Sequence, residues 1–191
     1  MRLLRRRPAS AALPSRLAAL VPGRERVLGA VPLDEGGRCW AAATAEHLVI
    51  LDDDGVDARH GWDCVTHGSW DARERVFTLE LLHDGEPLVL AVPERVVGAG
   101  RGSGLTVDER TFAVALRQRV DAAIVHHATD TLPSGRCATA SVRRRSDGSL
   151  YSITDPPPGG DGEGRALDAD DVDALLALER RVRDGVGLPT P

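Results

Sequence analysis

The stretch that decides the fold is residues 40–70, WAAATAEHLVILDDDGVDARHGWDCVTHGSW. Short apolar runs in it are separated by acidic and glycine-containing turns, as is typical of antiparallel strands joined by tight connections. If residues 62–70 are extended, side chains two residues apart share one face, and Trp62 and Trp70 close the ends of that face. The stretch therefore predicts the sealed part of a small β-rich core.

The same pattern continues on both sides of this stretch. RVLGAVPL precedes it, RVFTLELL and PLVLAV follow it, and turn residues stand at positions 34–37, 71–74 and 83–85. Six or seven short strands in about 70 residues, with no helix between them, predict an antiparallel β-meander. Pro93 ends the meander, and GAGRGSG at 98–104 is expected to be a flexible link.

An amphipathic helix is predicted after this link. Thr106 and Glu109 have the spacing of a capping box, with Thr106 as the N-cap. An apolar stripe then continues to about residue 124. Its members are Phe112, Leu116, Val120, Ala123 and Ile124. We expect this helix to close one end of the meander.

A smaller second unit is predicted beyond the helix. IVHHATDTL, RCATASVRRR and LYSIT indicate three strands, and PPPGGDGEG at 156–164 indicates a loop. A final helix is expected to begin at Asp168 and to stop at Gly185, with acids in its first turns and arginines near its end. The predicted layout is a basic leader at 1–23, a first unit at 24–125, a second unit at 126–185 packed on the first, and a tail at 186–191. The fold class is therefore α+β.

Composition excludes several classes of enzyme. The chain has 191 residues and 24 basic ones, all of them arginine. Without lysine there is no P-loop lysine, no Schiff-base lysine for a pyridoxal cofactor and no Ser–Lys dyad. Aromatic residues make up 3% of the chain, so Ala, Val and Leu must supply the core. This bias is typical of a high-GC bacterial genome.

Charge and cysteine content bear on partners and location. Five arginines and no acid lie in residues 1–23, so the remainder carries 19 arginines against 29 acids, which argues against a nucleic-acid binder. Cys39, Cys64 and Cys137 are odd in number and widely spaced, which favours reduced thiols. No run is long enough to span a bilayer, and Pro14 and Arg16 interrupt the apolar run that a signal peptide needs. We expect a cytoplasmic protein.

The leader has two interpretations. A short helix at 15–21 would place Leu13, Leu17, Leu20 and Val21 roughly on one side. The leucines could dock on the domain's own core, or the basic segment could bind an anionic membrane surface. A membrane contact would be possible only through residues 1–21. Its candidate residues are Arg2, Arg5, Arg6, Arg7 and Arg16.

Two sequence features resemble a known fold and family. A six- or seven-stranded meander capped by a C-terminal helix resembles the outline of the pleckstrin-homology-like (PH-like) fold, as a roll or partial barrel. GRERVLGAVPLDEGGRCWAAATAEHLVI and WDCVTHGSWD are similar to a family of uncharacterised actinobacterial proteins with a G-E-R-V-L opening, a strand ending in A-T and a W-x-x-V…S-W-D strand. The matching residues are Gly23, Glu25, Arg26, Val27, Leu28, Ala43, Thr44, Trp62, Val65, Ser69, Trp70 and Asp71. The resemblance implies a fold and no activity or ligand.

Candidate reactive clusters are few. His60, Cys64 and His67 cannot converge on one ion if their segment is extended, because Cys64 and His67 then face opposite sides. His126 and His127 differ in face for the same reason, although one of them beside Asp121 or Asp130 could act as a general base.

Three further motifs have simpler explanations. DDDG at 52–55 is expected to be a turn rather than a calcium loop, because the remaining ligands and flanking helices are missing. GAGRGSG before a helix could receive an anion. The arginines at 143–145 are expected to protect a strand end with charge.

The sequence favours a non-catalytic interaction or regulatory module without metal or cofactor, and with a protein partner. Membrane association through the leader is the alternative, and an unrecognised hydrolase or small-molecule-binding enzyme using His126 or His127 is the third hypothesis.

Overall fold

The structure is a computed structural model, and it describes residues 10–82, 86–97, 104–158 and 166–189. The chain divides into two compact units, Met1–Val120 and Asp121–Pro191. The division falls within a helix, five residues before the boundary expected at 125/126.

The first unit contains seven strands that form two open antiparallel sheets with no closed barrel. The first sheet has the order β1-β2-β3-β4, and the second has the order β5-β6-β7. The strands are β1 (Val27–Pro32), β2 (Trp40–Thr44), β3 (His47–Leu51), β4 (Val56–Gly61), β5 (Val65–Asp71), β6 (Val76–Leu81) and β7 (Leu88–Ala91). Consecutive strands pair antiparallel within each sheet, as predicted, but β4 and β5 belong to different sheets, so the strands do not form one continuous meander.

Shorter elements complete the first unit. They are α1 (Ser15–Ala18), β8 (Arg95–Val96), β9 (Leu105–Thr106) and α2 (Arg110–Ala123), which runs on into the second unit. β8 and β9 pair with each other, so a two-stranded ribbon flanks the expected link. Of that link, residues 98–103 lie outside the described part of the chain.

The two central strands of the first sheet are buried on both faces. Every residue of β2 and β3 is buried. Because neighbouring side chains of a strand point to opposite faces, something must cover each face of these strands.

Residues 10–21, called the N-terminal segment below, cover the outer face. Leu17 is 1% exposed and packs in one cluster with Trp40, Ala42, Val49 and Leu51. Leu13 and Ala11 pack against the same cluster. Of the two interpretations of the leader, the structure therefore shows docking on the chain's own core for these residues.

Helix α2 contacts the first sheet at its edge strand β1 and also contacts the second sheet. A Cβ added at Gly29 of β1 would lie 2.8 Å from the backbone of Phe112, so helix and strand touch through their main chains. The Phe112 ring meets Phe77 of β6 edge-on, with ring centroids 5.1 Å apart. One amphipathic helix thus contacts both sheets, whereas the sequence predicted that it closes one end of a single meander.

Two local predictions are wrong. Trp62–Cys64 is a turn of 3-10 helix, so residues 62–70 are not one extended face. Trp62 instead turns inward and donates from Nε1 to the carbonyl of Thr44 at 3.2 Å. This turn separates the two sheets along the chain.

The predicted capping box is also absent. Thr106 belongs to β9, and its carbonyl accepts from the Ala11 backbone N–H at 2.9 Å. The carboxylate of Glu109 pairs with Arg75 at 3.1 Å instead of returning to the helix N-terminus. The Asp108 side chain accepts from the Arg110 N–H there, at 3.2 Å. Thr106 and Glu109 therefore interact with residues distant in the sequence instead of forming the local hydrogen bonds of a capping box.

The second unit is a three-stranded antiparallel sheet with a helix packed on one face. The elements are β10 (Ile124–Thr131), β11 (Cys137–Arg144), β12 (Leu150–Asp155) and α3 (Ala169–Asp184). Ala138, Ala140 and Val142 pack against Leu175 and Val182 of the helix. Asp168 caps α3 by accepting from the Asp171 N–H at 2.8 Å, and Gly185 ends it, so both predicted helix ends are confirmed.

The contact at Gly29 predicts a sharp steric effect. Gly29→Ala should destabilise the protein by about 1–3 kcal/mol, because the new methyl group meets helix backbone that cannot rotate away. Gly36→Ala is the matched control, since its Cβ would meet the movable carboxylate end of Asp34. Urea unfolding followed by tryptophan fluorescence measures both. Equal stability of the two variants would contradict the close approach of α2.

Candidate functional site

The densest group of polar side chains in the described part of the first unit surrounds a nearly buried carboxylate. Glu25, Thr44, His47 and Arg59 form it, and they are called the Glu25 cluster below. Side-chain exposure is 9% for Glu25 and 11% for His47, whereas Arg59 is half-exposed. Such burial of an acid requires partners that replace its hydration.

Strand register brings these residues together. Glu25 lies two residues before Val27, which is paired with Thr44 across β1 and β2. His47 begins β3 just after the tight turn that Thr44 enters. Arg59 of β4 is paired with Val49, two residues along from His47, and therefore shares its face. The cluster thus lies on the outer face, next to the apolar patch that the N-terminal segment covers.

Thr44 organises the turn between β2 and β3. Its Oγ1 accepts from the His47 N–H at 2.9 Å and lies 2.8 Å from the His47 carbonyl oxygen. The same hydroxyl makes a very short hydrogen bond to Oε2 of Glu25. The carbonyl of Thr44 accepts a hydrogen bond from the indole N–H of Trp62. One residue therefore joins the segment before β1, the β2–β3 turn and the turn that precedes β5.

The other carboxylate oxygen of Glu25, Oε1, lies within hydrogen-bond distance of two nitrogen atoms. His47 Nδ1 lies 2.9 Å from Oε1, and Arg59 Nη2 lies 3.2 Å from the same oxygen. The two nitrogens are 3.0 Å apart. Because a guanidinium can only donate, both nitrogens satisfy Oε1 when the imidazole proton is on Nδ1. The geometry therefore favours a proton on Nδ1.

The surroundings of Glu25 shift its acidity. Burial by itself raises the pKa of the carboxyl, but hydrogen bonds from Thr44 and His47 and the charges of His47 and Arg59 outweigh burial. The pKa of Glu25 therefore lies below its ordinary value of 4.5. The cluster holds this group as an anion.

The cluster also resembles a cation site in its ligand types. One oxygen each from Glu25 and Glu46 and one nitrogen of His47 lie within 4.8 Å of one another. Carboxylate and imidazole groups suit several divalent metals. However, the Arg59 guanidinium already lies against two of these atoms and supplies the positive charge. The arrangement serves an internal ion pair.

Among the leader candidates, Arg16 lies within the described residues. Arg16 pairs with Asp53 of the β3–β4 turn at 3.0 Å, and both side chains are about half-exposed. Arg2, Arg5, Arg6 and Arg7 lie outside the described residues. The sequence did not predict the ion pair of Arg16 with Asp53, because this ion pair depends on the docking of Leu17.

His126 and His127 are both exposed on β10, and the strand points them to opposite faces. His126 lies on the α3 side, where its ring approaches Gly185, and His127 lies on the other face. Asp130 is paired with Arg181 at 2.9 Å, and this hydrogen bond keeps the pKa of its carboxyl below its usual range. The structure does not bring the two histidines into one site.

The remaining motifs have local structural roles. Asp52 Oδ1 accepts from the N–H groups of Asp54 and Gly55, so the acidic run is a turn, as predicted. Arg145 lies 4.0 Å over the Tyr151 ring. The aromatic neighbour was not predicted, because Tyr151 comes from the next strand, and Arg143 is buried rather than protecting a strand end in solvent.

No protein-family model, curated protein or solved structure matches the chain. None of the helices in the described residues combines the length and apolar character needed to cross a bilayer.

Sequence reasoning did not identify the Glu25 cluster. Its four members are spread over positions 25–59 and form no spaced motif. One signal was present: Glu25, Thr44 and Trp62 all belong to the stretches that carry the family resemblance. The structure shows that these three residues meet.

The cluster predicts a pH-dependent contribution to stability. Glu25→Gln should lower the free energy of unfolding by about 1–3 kcal/mol at neutral pH, because two donors lose a charged acceptor. Since the folded-state pKa is lowered, the contribution of ionised Glu25 is full above about pH 4.5 and is lost as pH falls through the folded value. Urea unfolding of both proteins over a pH series measures this difference.

Glu94→Gln is the matched control, because Glu94 is an exposed acid outside the cluster. It should change stability by less than about 0.5 kcal/mol. If the difference between wild type and Glu25→Gln stayed constant down to pH 2, the assignment of the acid titration to Glu25 would be refuted.

Proposed function

We propose that this chain is a non-catalytic interaction or regulatory module and that its first unit is a PH-like domain. The observation that supports a non-catalytic role is the internal hydrogen bonding of the Glu25 cluster. A general base or acid needs a proton or lone pair directed at a substrate. Here the carboxylate oxygens, the Thr44 hydroxyl and Nδ1 of His47 are directed at one another. The cluster is suited to holding the chain in place.

The order of elements supports the PH-like assignment. Four antiparallel strands are followed by three more and then by a helix that packs on both sheets. A PH-like roll has the same sequence of parts. The two sheets are open, so the assignment depends on order and packing rather than on barrel closure.

A protein is the proposed partner, and the cytoplasm is the proposed location. Cys39, Cys64 and Cys137 form no disulfide, which suits a reducing compartment. Membrane binding through the leader is less favoured, because Leu17 and Val21 are 1% and 3% exposed and so cannot enter a lipid surface while the segment is docked.

A vesicle assay separates a protein-binding role from membrane binding. The variant should be full-length with Arg2, Arg5, Arg6 and Arg7 changed to Gln, because truncation would remove Leu17 from the core. We expect neither wild type nor variant to sediment with vesicles of mixed zwitterionic and anionic phospholipid. Arginine-dependent sedimentation of the wild type would favour the membrane function instead.

The protein partner requires its own measurement. We expect cross-linking of the tagged full-length chain in its native cells to give one recurrent protein, with cross-links mapped by mass spectrometry to the first unit. Cross-links scattered over unrelated proteins would count against an interaction module.

A further inference from the structure

We propose that the outer face of the first sheet also accepts the N-terminal segment of a second copy, so that two chains form a dimer by exchanging residues 10–21. This interaction goes beyond the proposed partner binding. It follows from how the segment is attached, from the connection after it and from the face that it covers.

The N-terminal segment is attached mainly through side chains. Among the described residues, its backbone hydrogen bonds are internal, apart from the pairing of Ser10 and Ala11 with Thr106. Leu17 and its neighbours supply an apolar contact, and Arg16 adds the ion pair to Asp53. A segment attached in this way can leave without disrupting the pairing of β1 to β4.

The connection after the segment is strained. Gly23 has φ of 64° and Arg24 has φ of 55°, both in the left-handed region. A side chain disfavours this region, so Arg24 is held there by the reversal of the chain. If the connection straightens, this strain is released. Short strained connections of this kind favour domain swapping.

The Glu25 cluster lies on the sheet side of this connection. Glu25 stays bound to Thr44, His47 and Arg59 whether or not the preceding residues are docked. The start of β1 is therefore fixed, and the movable part is residues 10–21 with residues 22–24 as the hinge.

A second copy is the occupant that the chemistry specifies. The uncovered face would expose Trp40, Ala42, Val49 and Leu51, each now 1% exposed or less. The same segment from another chain restores these contacts and places Arg16 beside an acidic turn that carries Asp52, Asp53 and Asp54. Reciprocal exchange gives a closed two-fold dimer that differs from the monomer only at the hinge.

Concentration decides between the two forms. The tether gives the segment of the same chain an effective concentration in the millimolar range, which favours the monomer in dilute solution. The dimer is therefore expected when chains fold together at high concentration. Full-length wild type should be unfolded in urea, refolded at about 1 µM and at about 500 µM, and analysed by size-exclusion chromatography with light scattering.

We expect monomer at the low concentration and a distinct dimer at the high one. Arg24→Gly should reduce the dimer share by about threefold or more, because glycine removes the strain that exchange relieves. Monomer at both concentrations would overturn the proposal, as would a wild-type dimer that Arg24→Gly leaves unchanged.

A shortened hinge gives a second test. Deletion of Gly23 and Arg24 should prevent the segment from folding back and give a stable dimer. In that background Leu17→Ala should weaken dimerisation by at least about tenfold in Kd, whereas Leu20→Ala, at a side chain 41% exposed, should not. A folded monomeric deletion variant, or equal effects of the two alanines, would overturn the proposal. If circular dichroism shows the deletion variant unfolded, the wild-type and Arg24→Gly measurements decide.

Discussion

The first sheet depends on the burial of its two central strands on both faces. Antiparallel sheets commonly leave one face in water and alternate polar with apolar side chains. Here β2 and β3 expose no residue, and their sequences WAAAT and HLVIL are nearly continuous apolar runs. Such strands need a layer on each side. The N-terminal segment is the outer layer, and α2 meets the edge of the sheet at Gly29 of β1.

A glycine makes the close contact with α2 possible. Gly29 has no side chain, so α2 approaches β1 to backbone contact there. The larger side chains of the segment and of Trp40 fill the outer layer instead. The chain has few aromatic side chains. The close approach of α2 at Gly29 and the large indole of Trp40 compensate for this scarcity.

The Glu25 cluster explains how the outer layer is joined to the sheet. A buried ion pair adds little net stability, because desolvation offsets most of the attraction, but removing one partner is costly. The cluster therefore specifies the geometry of the connection more than it adds to the total stability. It fixes the entry to β1 where the register shifts between Val27 and Gly29, and this shift turns Gly29 toward α2. The hydrogen bonds of the Glu25 cluster and the close contact of Gly29 with α2 therefore lie close together in the chain, at the start of β1.

The sequence predicted the features that depend on local pattern. Alternation and turn residues located all seven strands of the predicted meander, and charge placement located both ends of α3. Features that depend on distant partners were missed. The predicted capping box is absent, because the carboxylate of Glu109 pairs with Arg75 and because Thr106 lies in β9, where its carbonyl accepts from the Ala11 N–H. The 3-10 turn at Trp62 was missed because the indole is directed by Thr44, eighteen positions earlier.

The Glu25 cluster joins sequence motifs that stand apart in the chain. Glu25, Thr44 and Trp62 belong to three different motifs, and each of them contributes a hydrogen bond to this one region. Motifs that meet at a point of attachment describe how a chain is held together. They carry no information about a ligand, since their polar groups are used on one another. The proposed protein partner would therefore have to contact residues outside these motifs.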